Sequence, residues 1–124
     1  MSDPNIVLQN LRMRRGDTPT FLLTVTDRAG AVFPITGFGV WFTAKNTIDD
    51  PDPGVFQISS VSGDVSIIDG AGGLAEMTIP ALATEGFITD RSLVYDVQIR
   101  NAAATRTYTV AGGTLQVVRD VTRA

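Results

Sequence analysis

The sequence contains no cysteine and no histidine. Those two absences exclude disulfides, thiol nucleophiles, Cys/His zinc sites and the serine–histidine relay of many hydrolases. Lysine is almost missing too: Lys45 stands alone against nine arginines. An arginine-dominated basic set suits fixed interfaces, because the guanidinium presents a rigid fork of donors. A G+C-rich coding sequence gives the same bias, together with abundant Ala and Gly. Thirteen acidic against ten basic residues leave a net charge of −3, which carries no electrostatic footprint for nucleic acid. No apolar run approaches the roughly 20 residues of a membrane-spanning helix. Met1-Ser2-Asp3-Pro4 has neither the basic start nor the apolar stretch of a secretory signal. The expectation is a protein that is cytosolic when made, with no nucleic-acid and no membrane partner.

What is present is β-strand periodicity. A chain of 124 residues that is 44% hydrophobic makes one domain with one core. Asn5 to Arg14 reads as an extended arm or first strand. Ile6 and Leu8 share one of its faces, and Val7, Leu11 and Met13 the other. Arg15-Gly16-Asp17 then turns the chain. From Thr18 to Asp27, Phe21, Leu23 and Val25 alternate with Thr20, Leu22, Thr24 and Thr26, the period of a half-buried strand. Asp27 to Gly30 is a turn leading back through Val32-Phe33. Val40 to Asn46 is a further strand, with Trp41 as a candidate large core filler. Short strands follow at Val55 to Ser59 and Val65 to Ile68. Leu74 to Ile79 turns Ala75, Met77 and Ile79 inward. Pro80 to Gly86 holds room for one helical turn. Leu93 to Arg100 is the clearest alternation, with Leu93, Tyr95, Val97 and Ile99 on one face. Thr105 to Ala111 and Leu115 to Arg119 close the set, and Gly112-Gly113 reads as a break between them. Eight or nine short strands punctuated by turns predict an all-β, immunoglobulin-like antiparallel β-sandwich with an extended N-terminal arm. Residues 1–14 would form the arm or first strand, and residues 15–124 the sandwich.

Chemistry-bearing motifs are sparse. Arg15-Gly16-Asp17 spells a tripeptide that integrins recognise, yet a strand-to-strand turn explains it fully. Asp49, Asp50 and Asp52 sit among Pro51, Pro53 and Gly54. Such oxygen donors suit a hard cation, but the spacing is not that of a calcium loop, and a solvated loop is the simpler reading. Other carboxylates (Asp17, Asp27, Asp69, Asp90) fall in turns, where Asp satisfies local backbone donors. No Gly-Lys-Ser/Thr phosphate loop occurs. The expectation is therefore no enzyme, no cofactor and no metal. Trp41, Tyr108 and Phe87 are the aromatics available to a sugar-binding surface. The candidate protein-contact residues are Ile6, Val7, Leu8, Leu11, Arg12 and Arg14, because the arm is apolar on both faces and carries arginines. The competing reading of Arg12 and Arg14 is a charged edge strand that blocks aggregation.

Three stretches carry a family resemblance. Met13 to Gly37 (MRRGDTPTFLLTVTDRAGAVFPITG) resembles the opening of Ig-like domains in virion proteins of tailed phages and prophages. The N-terminal domains of upper baseplate proteins are the best-known examples. VWFTAKN (Val40 to Asn46) stands where those domains have their second core strand. GGLAEMTIP and LVYDVQIRNAAATRTYTVAGGTLQVVRDVT are similar to the later strands. The likeness spans about 110 residues of strand edges and turns. It implies a structural virion protein of tail or baseplate, forming homo-oligomers and contacting other virion proteins. It also leaves room for a capsid decoration or head-fibre role, or for a surface module that binds carbohydrate or a receptor.

Overall fold

A computed structural model describes residues 3–121. The outermost ends of the expected arm and sandwich, residues 1–2 and 122–124, lie outside the described residues. Among those described, nine strands form two sheets. They are β1 (Val7–Leu8), β2 (Leu11–Arg14), β3 (Thr20–Thr24), β4 (Phe38–Lys45), β5 (Phe56–Ser59), β6 (Val65–Asp69), β7 (Leu74–Thr78), β8 (Arg91–Asn101) and β9 (Thr107–Val118). One 3-10 turn, Ala81–Ala83, occupies the segment expected to hold a helical turn.

The larger sheet runs β1-β9-β8-β4-β5, with β2 also on β9, and the smaller runs β3-β7-β6. That is a two-sheet β-sandwich: β3, β7 and β6 make the back sheet, and β9, β8, β4 and β5 the front. The alternation explains why the sheets face each other. On β8, Leu93, Tyr95, Val97 and Ile99 are buried while the intervening residues are half-exposed or exposed. On β7, Ala75 and Met77 are buried, and Ile79 beyond its end is fully so. On β4 the inward set is Val40, Phe42 and Ala44. Phe42 is the central aromatic of the core, stacked between Phe56 (centroids 5.9 Å apart) and Tyr95 (4.9 Å).

Three features differ from the sequence reading. The sandwich is not wholly antiparallel, because β1 and β2 pair parallel to β9, Val7 with Ala111 and Leu11 with Leu115. The two segments expected on either side of Gly112-Gly113 are one continuous strand, β9. Its register against β8 shifts once, near Val97 and Gln98. Trp41 is not the core filler. It lies on the outer face of β4, half-buried, with the Arg100 guanidinium 4.9 Å from its ring centroid. Phe42, one residue on, takes the inward position. The expected hairpin at Asp27 is present: Thr26 bridges Val32, and the Asp27 carboxylate accepts from the amides of Ala29 and Ala31.

Candidate assembly interface

The N-terminal segment moves from one sheet to the other. Asn5 first lies along the outer edge of the back sheet, its amide donating to the Thr26 carbonyl (2.7 Å). The segment then joins β9 in the front sheet, where the Gln9 amide donates to the Gly112 carbonyl at 2.9 Å. The Tyr95 hydroxyl donates to the Gln9 carbonyl at 2.6 Å, and burial raises the Tyr95 pKa above its ordinary value. The Thr114 amide donates to the Asn10 side chain. Gly113 makes this seating possible. Its φ is +152°, and a Cβ there would come within 2.9 Å of the Gln9 carbonyl carbon and closer still to its oxygen. The glycine pair that resembles a turn in the sequence is a notch for the crossing segment.

The crossing leaves a seam. Between the arm and the free edge of β3 lies a cleft of about 270 Å³, with Val7, Leu11, Phe21, Leu22 and Met77 in its walls. Two of its lining residues are exposed apolar side chains, Val7 (43%) and Leu22 (61%), and the neighbours of Val7 in the arm, Ile6 (52%) and Leu8 (81%), are exposed too. Of the contact residues expected from sequence, Ile6, Val7 and Leu8 therefore lie at the surface, and Val7 lines this cleft. Leu11 does not, because it is buried in the core together with Met13. The inward half of the β2 alternation serves the fold and leaves no side chain there for a partner. Arg12 and Arg14 share the outer face of β2. Arg14 donates to the Arg119 carbonyl (3.1 Å), while Arg12 has no protein partner among the described residues. The sequence reading missed Leu22. Its exposure was legible in the β3 alternation, but its place beside the arm is a long-range property.

The other candidate motifs resolve into structural roles. Arg15 donates to the Phe87 carbonyl (2.7 Å) and forms an ion pair with Asp120 at 2.8 Å. The Gly16 amide donates to Thr84 Oγ1, whose residue is fully buried. The tripeptide thus ties the turn after β2 to two distant segments. In the acidic loop, the Asp50 carboxylate accepts from the amide and hydroxyl of Thr47. Those bonds hold it below the usual carboxylate range. Asp52 pairs with Lys45 at 2.9 Å. Among the described residues no three carboxylates converge as a metal site would require. The three candidate sugar-binding aromatics do not meet: Trp41 packs with Arg100, Phe87 with Arg91, and Tyr108 against Phe33.

A second concavity lies on the outer face of the front sheet, bordered by Trp41, Thr43, Lys45, Gln57, Asp96 and Arg100. Asp96 accepts no hydrogen bond from the protein among the described residues. Burial raises its pKa and a nearby Asp52 adds to this, while Lys45 opposes them. No protein-family model matches the sequence, and no curated protein is significantly similar to it.

Proposed function

We propose that this chain is a non-enzymatic assembly module, a structural protein of a tailed-phage virion, most simply a tail or baseplate component. It would form homo-oligomers and contact other virion proteins through the seam between the N-terminal arm and β3. One observation carries the reading. Two exposed apolar side chains, Val7 and Leu22, line one cleft beside the β3 edge, and Ile6 and Leu8 stand exposed on either side of Val7 in the arm. Contiguous exposed apolar surface rimmed by polar groups marks a protein-contact site. Ile48, Val61 and Ile88 are exposed singly in loops and need no such explanation. The resemblance of residues 13–37, 40–46 and the later strands to virion Ig-like domains supplies the setting. Immunogold labelling of phage particles whose genome encodes the chain tests this. Label at the tail or baseplate supports the reading, label on the head shifts it to a capsid decoration, and unlabelled particles refute it.

A carbohydrate- or receptor-binding module is the second reading. The concavity around Asp96 favours it, because a carboxylate without a protein donor beside Trp41 and Arg100 suits a polyol. Binding of the chain on a glycan array, lost in Asp96→Asn, would establish it.

A further inference from the structure

We propose that two copies of this chain pair through β3, antiparallel about a two-fold axis at Leu22, so that the two back sheets become one continuous sheet. The inference deepens the assembly reading above and rests on it.

Among the described residues the back sheet ends at β3, whose one strand neighbour is β7. Backbone direction along β3 is fixed at both ends. The Pro19 carbonyl accepts from Ile79, and the Val25 amide donates to Gly73, so the odd-numbered residues face β7 and its flanks. The Thr26 carbonyl, on the even set, faces the opposite way and accepts from Asn5. Alternation then directs the amides and carbonyls of Thr20, Leu22 and Thr24 outward. Asn5 closes the edge at Thr26, so the free stretch is short and bounded.

Edges that must stay single carry Lys, Pro, a bulge or an inward charge. Thr20-Phe21-Leu22-Leu23-Thr24 has none of these, its register with β7 is regular, and Leu22 is exposed. The stretch is also complementary to itself. Antiparallel pairing centred on Leu22 sets Leu22 against Leu22, Thr20 against Thr24 and Phe21 against Leu23. Every outward backbone donor then meets an acceptor. The flanking charges agree. The same pairing brings the Asp17 end of each copy to the Arg28 end of its mate. Both residues are exposed, and neither side chain has an ion-pair partner among the described residues. Asp27, at that same end, is already spent on the amides of its own turn. A two-fold axis makes such a contact isologous, the commonest interface between identical chains.

The cysteine-free sequence gives a clean test. Leu22→Cys, Thr20→Cys and Val61→Cys variants of the full chain are treated with a short bifunctional thiol reagent. Opposed residues of an antiparallel hydrogen-bonded pair have Cα atoms about 5.5 Å apart. Two copies of residue 20 would be offset by four residues, about 14 Å along the strands. The pairing predicts that Leu22→Cys cross-links at least about tenfold faster than either other variant. It also predicts that Thr20→Cys/Thr24→Cys regains the fast rate. Equal rates in all variants overturn it, as does fast linkage of Thr20→Cys alone. Leu22→Lys sets two like charges together at the axis, and the expected result is a monomer by light scattering with an unchanged circular dichroism spectrum. An oligomer that survives Leu22→Lys but dissociates in Ile6→Ser/Leu8→Ser refutes the β3 pairing while leaving assembly through the arm intact. A native chain that is monomeric at all concentrations, with particles unlabelled in the immunogold experiment, refutes both.

Discussion

Gly113→Ala is the sharpest test of how the N-terminal segment is held. The added Cβ would lie 2.9 Å from the Gln9 carbonyl carbon and nearer its oxygen, whereas non-bonded carbons settle at about 3.5–4.0 Å. The arm must therefore retreat by roughly 1 Å, or β9 must bend. Such a retreat breaks the 2.9 Å bond from Gln9 to Gly112 and the 2.6 Å bond from Tyr95 to Gln9. Two bonds at about 0.5–1.5 kcal/mol each, with about 1–3 kcal/mol for an alanine at that φ, give a loss of about 4 kcal/mol. For a domain of this size the melting temperature falls by about 15 °C. Gly112→Ala is the matched control. Its Cβ would meet its nearest atom, the Tyr95 carbonyl oxygen, at 3.4 Å, with an ordinary φ, and should change stability by less than about 1 kcal/mol. Urea unfolding of both variants measures the difference. Hydrogen exchange at Gln9 and Leu11 then shows whether the arm is what loosened. Equal destabilisation of the two variants would refute the notch.

The remaining predictions concern single contacts. Tyr95→Phe removes the donor to Gln9 and should cost about 1 kcal/mol in urea unfolding, without disturbing the stack on Phe42. Arg15→Lys should lose most of what Arg15→Ala loses, about 2 kcal/mol. A lysine cannot reach Asp120 and the Phe87 carbonyl together, and full retention of stability would contradict that. Asp96→Asn carries a pH signature. The folded carboxyl titrates above its unfolded value, so the native state binds the extra proton and native stability falls as pH rises through that interval. The variant should match the native chain in acid and exceed it at neutral pH, as read from melting temperatures across the pH range.

Much of the fold is written locally. Leu93, Tyr95, Val97 and Ile99 alternate with polar residues because β8 lies at the centre of a sheet with one buried face. Leu23, Ala75 and Met77 mark the back sheet for the same reason. Other features depend on partners far along the chain, and no local pattern encodes them. Gly112-Gly113 has the composition of a turn, and only the approach of Gln9 makes it a notch. Trp41 and Phe42 are both large enough for the core, and strand phase alone decides between them. Leu11 and Val7 share a face of the arm, yet the strand is interrupted between them at Gln9 and Asn10, and Leu11 is buried while Val7 remains at the surface. Arg15 finds Asp120 across 105 residues, beyond any motif. The candidate interface was visible as apolar residues on the arm. Its other half, the bare edge of β3, became visible only with the strand order.

Light scattering across a range of chain concentrations tests the central claim most directly, with the native protein beside Leu22→Lys and Ile6→Ser/Leu8→Ser. Association through the seam predicts a native mass that climbs to at least two chains and falls to one when the seam is altered, with secondary structure unchanged. A native mass of one chain throughout, or an assembly that no seam substitution weakens, would contradict it.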